Sequence, residues 1–563
     1  MLLKSLTLRT KKTNSDFQQI TGATRNTKAN GLLSLSISAL LAIGIFLRVF
    51  HFVDNRSLWI DEIYLATSLI KMNFGELLAP YLDYEQKAPV GFLWLVRACV
   101  MLFGTNEMAL RLMPLLTGIA SLFLFLPVAR YFLKPMGVAV ALGILALAPP
   151  LVYHAVEIKQ YGFELFAAIL VLYLYIRYQQ KTDYGSLLFW GVAGAIIIWF
   201  SYTSIFLLAG MGIGLGLYYL LKRNWPAFFR TVIPATLWLL SFAVNYFLFT
   251  YKHAGSEWLT IWFRTYDGFM PFPPTSAADL GWFVQKIFST LHYPLGLSWY
   301  SLHFEYNALL RILARMAWLP LIFLVVGLYG FFKHDKKVFL VMVLPFGLHL
   351  FASGLELYPF FDRLTVYLAP ILILFIARGC QQLVEILPVR QRFWQYALPI
   401  LLLTGPLVNS LRQVINPALF GDYKKSYQRE ALLYINEHYK PGDTVYVYWN
   451  TWPAYNFYKN AYGLKFDAII GKDVRNISGS YEEYFANLRP DFEALAGKKR
   501  VWVVYNKFAM NKIGDIEGHP AWYYNDKRRT LDMIQATFDA KGRKLDSYEA
   551  IDMQVNLYDM LDK

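Results

Sequence analysis

Two cysteines in 563 residues, Cys99 and Cys380, leave no material for a disulfide framework or a cysteine zinc cluster. Charge is scarce as well. Only 17% of the residues are Asp, Glu, Lys or Arg, against 56% hydrophobic and 17% aromatic, and a chain of this length with so little charge is not an ordinary soluble enzyme. Internal repeats and low-complexity tracts are missing beyond a polar, basic leader expected to be disordered. Acids are the scarcer charge, 39 against 54 Lys and Arg, giving a formal net charge of +15. That excess would suggest a nucleic-acid partner if it formed a patch. It lies instead in short loops between apolar runs, the pattern of positive-inside membrane anchors, so no nucleic acid is expected.

What is present is a series of apolar runs long enough to cross a bilayer. They lie near 31–52, 108–131, 136–153, 160–178, 186–201, 203–221, 228–251, 310–332, 337–353, 362–378 and 393–411, eleven in all. The leader (Lys4, Arg9, Lys11, Lys12, Arg25, Lys28) precedes a first run too long for a signal-peptide core, so that run is expected to remain as the first span with the N-terminus cytoplasmic. A further apolar run, 88–103, is read as a juxtamembrane helix on the external surface. Counting it as a span would put the Arg130 to Lys134 turn outside, whereas laying it down keeps basic residues at Arg130/Lys134, Arg177/Lys181, Lys222/Arg223, Lys333/Lys336/Lys337 and Arg390/Arg392 on the cytoplasmic side. The external pieces are then 54–107, 154–160, 252–307 and 353–362, and the two cysteines fall on opposite faces. The 252–307 loop, rich in Trp258, Trp262, Phe269, Pro271, Pro273, Pro274, Trp282 and Trp299, suits short interfacial helices and could equally line an acceptor groove. From 412 to 563 the sequence turns mixed and polar, with strand-like runs at 444–448, 501–505 and 555–558 and helix-like segments near 424–438 and 526–540. The fold class expected is an all-α polytopic membrane domain (31–411) followed by a small soluble α/β domain that parity places on the external side.

Ionisable residues at the ends of spans are costly unless they face a partner or a cavity. Four such features share the external surface: the pair Asp61-Glu62, Lys87, Glu157 with Lys159, and Arg363. Lys87 and Arg363 suit a lipid phosphate at the membrane surface, and a nearby carboxylate suits removal of a proton from a hydroxyl nucleophile. A sugar carried on such a phosphate has a good leaving group, so one base and a cationic clamp suffice. On a helix Asp61 and Glu62 point roughly 100° apart, which assigns one to the base and the other to structure or to a metal. Arg97 and Arg111, near helix ends, are expected to snorkel to the interface. His154, His253, His292 and His303 are external without metal-ligand spacing, so packing roles are expected for them, and the sequence requires no cofactor.

The order Asp61-Glu62 after the first span, Lys87-Ala88-Pro89 opening an apolar helix, and Leu102-Phe103-Gly104-Thr105-Asn106-Glu107-Met108-Ala109-Leu110-Arg111-Leu112 resembles the polyprenyl-phosphate-dependent integral-membrane (C-class) glycosyltransferases. These include the protein O-mannosyltransferases and the lipid A aminoarabinose transferase. The resemblance covers about 48–162 well and 163–378 more loosely. There Asp362-Arg363-Leu364-Thr365-Val366-Tyr367-Leu368-Ala369-Pro370 is similar to the family's Arg-Tyr-Leu-x-x-Pro span start, with Leu364 in place of Tyr. It implies Asp61 as catalytic base, Lys87 at the donor phosphate and Glu157 as the acid of the second external loop, although the motif around Glu157 departs from the family pattern. It implies inversion at the anomeric carbon by direct displacement, and it leaves room for a divalent metal, which some members use. Glu62 and Glu157 are assigned to the acceptor or sugar pocket, with Tyr84 and Tyr161 as further substrate contacts. The expected partners are a polyprenyl-phosphate sugar donor, a lipid, glycan or protein acceptor, and the bilayer, with the chain multi-pass in the cell (inner) membrane and its C-terminal domain periplasmic. The rival readings are a lipid-linked oligosaccharide flippase or transporter, for which the sequence shows neither broken helices nor repeat symmetry, and a non-catalytic envelope assembly protein, in which the acids would be dispensable.

Overall fold

A computed structural model describes residues 27–79, 82–251, 257–298, 316–387, 392–507, 520, 522–523 and 530–561. Most of the basic leader, His253, Trp299, His303, Arg390 and the start of the 526–540 segment lie outside the described residues.

The apolar runs fold as helices because a run without hydrogen-bonding side chains must satisfy its own backbone, which a helix does along its length. Among the described residues, eight helices are long and apolar enough to cross a membrane: Leu33–Asp54, Glu107–Phe132, Tyr161–Tyr178, Ser204–Leu221, Trp225–Phe249, Lys336–Gly354, Asp362–Ile386 and Gln395–Ile415. The chain is an integral membrane protein. The three other expected runs form shorter helices, Pro135–Leu147, Tyr184–Ile198 and Trp318–His334. The first of these stops at Ala148 because Pro149 and Pro150 start a new helix, Pro149–His154. Its 13 residues rise only about 20 Å, short of the ~30 Å hydrocarbon core.

Glycine sets the closest helix contact. A Cβ on Gly327 would lie 1.8 Å from the Phe375 carbonyl oxygen, and one on Gly379 would lie 1.8 Å from that of Phe323. The Trp318–His334 and Ala369–Ile386 helices therefore meet backbone to backbone.

The run expected to lie down forms the helix Val90–Phe103, which leaves Trp94, Met101, Leu102 and Phe103 exposed. Arg97 does not snorkel: its Nη1 donates to the carbonyls of Leu69 and Ile70 at 2.9 and 3.0 Å, capping the end of the Ile60–Lys71 helix where carbonyls lack intrahelical partners. Arg111 does not snorkel either. It is fully buried and bound to Glu62, because the apolar surroundings of a packed helix favour a carboxylate partner over exposure.

The last apolar helix runs to Ile415, past the boundary expected at 412. Beyond it lies a five-stranded sheet of β1 (Thr444–Val447), β2 (Ala468–Ile470), β3 (Arg500–Asn506), β4 (Arg543–Glu549) and β5 (Met553–Asp559), in the order β2-β1-β3-β5-β4. β1 runs parallel to β2 and β3, and β5 runs antiparallel to β3 and β4. The period-two pattern divides the strand residues between two cores. Tyr446, Val501, Val503 and Tyr505 pack with Tyr484, Phe492 and Phe538. Val445, Val447, Trp502 and Val504 pack with Leu432, Ile435 and Phe457 in a core that also contains Leu58, Ile63, Leu65 and Phe92. The small domain and the segment carrying Asp61 and Glu62 thus share one apolar core.

Candidate active site

The segment Leu58-Trp59-Ile60-Asp61-Glu62 opens a helix, Ile60–Lys71, with Trp59 as its N-cap. Two acids in a first turn are favoured by the unpaired N–H groups there. The helix turns them apart. Glu62 points inward and is fully buried, accepting from Arg56 Nη1 at 2.7 Å, from Arg111 Nη2 at 3.3 Å and from the Ile158 N–H at 2.9 Å. Its carboxylate ties together the loop before the helix, the start of Glu107–Phe132 and the 155–160 link.

Asp61 points the other way and is a quarter exposed. Its Oδ2 accepts from Arg363 Nη1 at 2.8 Å, across 302 positions of sequence. Burial pushes the Asp61 carboxyl up, but Arg363 and then Lys159 pull it down further, so it sits below its ordinary value and is charged at neutral pH. Arg363 lies over the rings of Trp59 and Tyr161, 5.6 Å from each centroid.

Glu157 is fully buried on the 155–160 link. Its Oε2 meets His154 Nδ1 at 2.7 Å, and its Oε1 faces Lys424 Nζ at 3.7 Å without a hydrogen bond. Burial raises Glu157, yet Lys424 and His154 outweigh it and hold the carboxyl well below its ordinary value. Burial lowers His154 to about 4. The imidazole is therefore neutral, and since a carboxylate only accepts, Nδ1 carries the proton while Nε2 accepts from the Tyr293 hydroxyl. Lys424 donates to that same hydroxyl at 3.4 Å and lies against the rings of Tyr153, Trp59 and Tyr293.

Lys87 sits beside this cluster. It lines a cleft with Leu77, Leu82, Val90, Leu93, Tyr202 and Phe249, and burial lowers its ammonium against the upward pull of Glu85. Its neighbour Gln86 accepts from Lys159 Nζ at 2.5 Å, which joins the cleft to the Asp61 side. Tyr84 is exposed and stacks on Tyr64, with ring centroids 4.3 Å apart.

Lys87 and Gln86, Lys159 hydrogen-bonded to Gln86 and electrostatically coupled to Asp61, Arg363 paired with Asp61, and Glu157 behind bring together segments separated by hundreds of residues. The chain as a whole aligns with the solved structure of ArnT from Cupriavidus metallidurans bound to undecaprenyl phosphate. That alignment has a TM-score of 0.50 at 14% identity and covers 94% of this chain and 98% of that one. The fold is that of ArnT. Residues 87–248 also match the family model described as dolichyl-phosphate-mannose-protein mannosyltransferase, so the resemblance to polyprenyl-phosphate-dependent membrane glycosyltransferases stands. The archaeal oligosaccharyltransferase AglB from Archaeoglobus fulgidus, in complex with an inhibitory peptide and a dolichol-phosphate, aligns with a TM-score of 0.47 at 11% identity, covering 84% of this chain and 69% of that one. No curated protein matches.

Against this ArnT-like frame, Asp61, Arg363, Glu157 and Tyr161 lie in one cluster, Lys87 adjoins it, and Glu62 is a buried bracket with no face toward an open space. Three residues that join the cluster, Arg56, Tyr293 and Lys424, are not among the features read from the sequence, where Lys159 appears only as the companion of Glu157. Arg56 and Lys159 carry a usable signal, since a cation on the face expected to be external runs against the positive-inside rule. His154, expected to pack, is part of the hydrogen-bonded cluster. Among the described residues no group of three or more His, Cys, Asp or Glu is placed to hold a metal ion.

Proposed function

We propose that the chain transfers a sugar from a polyprenyl-phosphate donor to an acceptor group on the non-cytoplasmic face, with inversion, using Asp61 as base and Lys87 and Arg363 as the phosphate clamp. The observation that carries this reading is the Asp61–Arg363 pair set in a buried cluster with an excess of cations. Arg56, Arg111, Lys159, Arg363 and Lys424 outnumber Asp61, Glu62 and Glu157. Buried positive charge without a matching acid is costly, and a phosphate relieves it.

The same pair suggests how donor binding readies the base. A phosphate on Arg363 competes with Asp61 for its N–H donors, and a carboxylate that loses part of its cationic partner becomes more basic. The apolar walls beside Lys87 suit the isoprenoid chain that follows such a phosphate. The acceptor hydroxyl loses its proton to Asp61 as its oxygen attacks the anomeric carbon, and the polyprenyl phosphate leaves as an anion held by the clamp. Glu62 holds the three segments that frame Asp61, and Glu157 faces the sugar or acceptor.

Incubating the purified protein with a panel of short-chain polyprenyl-phosphate sugars and measuring released polyprenyl phosphate tests this. Asp61→Asn is expected to lower release about 10²- to 10⁴-fold while the protein remains folded. Unchanged release in that variant would remove Asp61 as base. Binding of the lipid with no release across the panel would favour a flippase or transporter, and neither binding nor release an assembly protein.

A further inference from the structure

The job of the small domain can be read from where its connection enters the molecule. The last apolar helix ends at Ile415, and after two short turns the chain places Lys424 only 3% exposed, inside a ring of Trp59, Tyr153 and Tyr293. The docking contacts come from Arg429, five residues on, and from the Trp452–Tyr462 helix. The Arg429 N–H donates to Ser57 Oγ at 3.1 Å, Arg429 Nη1 pairs with Glu107 at 3.0 Å, Tyr462 donates to Glu107 Oε2 at 2.6 Å, and the Leu58 N–H donates to Tyr458 at 3.0 Å. These contacts hold Lys424 at the carboxylate of Glu157.

Glu157 uses one oxygen on His154. The other, Oε1, is buried with no hydrogen bond, and an oxygen of that kind carries a desolvation cost that an O–H or N–H donor would offset. It remains an acceptor only while the carboxyl is ionised, since the protonated form offers a donor in its place. The groups facing Glu157 are His154 and Lys159 from its own link, Asp61 and Arg56 from the first loop and helix, Tyr153 and Tyr161 from the flanking helices, Arg363, and Lys424. Lys424 forms an ion pair with it. His154 is neutral, Arg363 is bound to Asp61 and Arg56 to Glu62.

We propose that Lys424 is a positioning residue which keeps Glu157 ionised and its Oε1 an acceptor for a substrate hydroxyl or amine, so that the docked C-terminal domain is an integral part of the reaction centre. This rests on the transferase reading for the identity of the substrate group, but the state of Glu157 does not. Lys424 touches no reacting atom and acts through Glu157.

Infrared difference spectroscopy of the full-length protein, following the protonated-carboxyl stretch against pH, tests it without any sugar donor. The Glu157→Gln variant assigns the band. In the unaltered protein no Glu157 band is expected at neutral pH. A Glu157-dependent band there would overturn the proposal, whatever the behaviour of the variants. Lys424→Met and Lys424→Gln are expected to bring the band up at neutral pH and Lys424→Arg to suppress it again. Folded Met and Gln variants without the band would also overturn the proposal. Tyr462→Phe, which weakens docking but leaves the ammonium in place, separates the two roles: the band should stay low there if charge on Lys424 is what matters, and its appearance would show a merely structural effect. The absence of sugar release in the donor panel would reject the transferase reading while leaving the spectroscopic result standing.

Discussion

In the proposed reaction the Asp61–Arg363 pair carries the base and half of the phosphate clamp. Asp61 would be a weak base while Arg363 holds it below its ordinary value. The pH consequence can be signed. With the carboxyl lowered by Arg363 and Lys159 against burial, Asp61 stays ionised into acid pH, so with Asp61 as the proposed base the acid limb of kcat/KM is expected below the usual carboxylate range. Arg363→Gln removes the largest downward influence and leaves burial to act, so the limb is expected to move upward toward neutral pH, alongside a rise in KM for the donor. A pH profile of kcat/KM on the folded variant checks this; a limb unmoved or shifted downward would mean that Arg363 does not tune Asp61. The neighbouring Glu62 shows the opposite use of a carboxylate. The same residue type one position on, rotated inward by the helix, is consumed by two arginines and a backbone N–H. Adjacency in the sequence identified both acids and the helix period turns them apart; their surroundings decide which partners each one holds.

At the scale of elements, the helices follow from apolar runs, but their lengths follow from prolines and their spacing from glycines. The Pro149-Pro150 pair ends a run that composition alone reads as one span, because neither residue can donate to the preceding turn. The crossing of Trp318–His334 with Ala369–Ile386 depends on Gly327 and Gly379, each against a carbonyl of the other helix. Gly327→Ala and Gly379→Ala are each expected to force the helices apart at a cost of about 1–3 kcal/mol. That should appear as a lower Tm in detergent by thermal unfolding, while Gly347→Ala, where the added Cβ meets nothing within 4 Å, serves as the neutral control. An unchanged Tm in both crossing variants would contradict the close contact. Arg97 belongs to this scale too, since its guanidinium caps a helix end where interfacial exposure was expected.

For the whole molecule, the membrane helices and the small domain behave as one unit because they share a core and an ion-paired seam. Glu107, fully buried, receives both Arg429 and Tyr462. Glu107→Gln removes the charge that Arg429 pairs with and is expected to loosen the domain, read as faster proteolytic cleavage around 416–427 than in the parent protein. Equal cleavage rates would mean that the shared apolar core alone holds the domain in place. Loosening should also reduce sugar transfer in the donor panel, because Lys424 enters the site with the same segment.

The sequence by itself determined the membrane class, the helical runs, the strands β1, β3 and β5, and the surface on which Asp61, Lys87, Glu157 and Arg363 meet. The membrane class, helical runs and strands depend on local composition and periodicity within a few tens of residues, whereas the expected shared surface of the four residues depends on counting crossings along the chain. β2, β4 and the Trp452–Tyr462 and Tyr481–Glu493 helices are not legible in the sequence, since short or polar elements draw their stability from the sheet they pack on. Tertiary structure alone decided which acid faces outward, that Arg111 and Arg56 serve Glu62, and that Lys424 reaches Glu157 from the far side of the last apolar helix. Those outcomes depend on the direction of side chains and on contacts between segments hundreds of residues apart, where burial makes an ion's partner matter far more than its place in the chain.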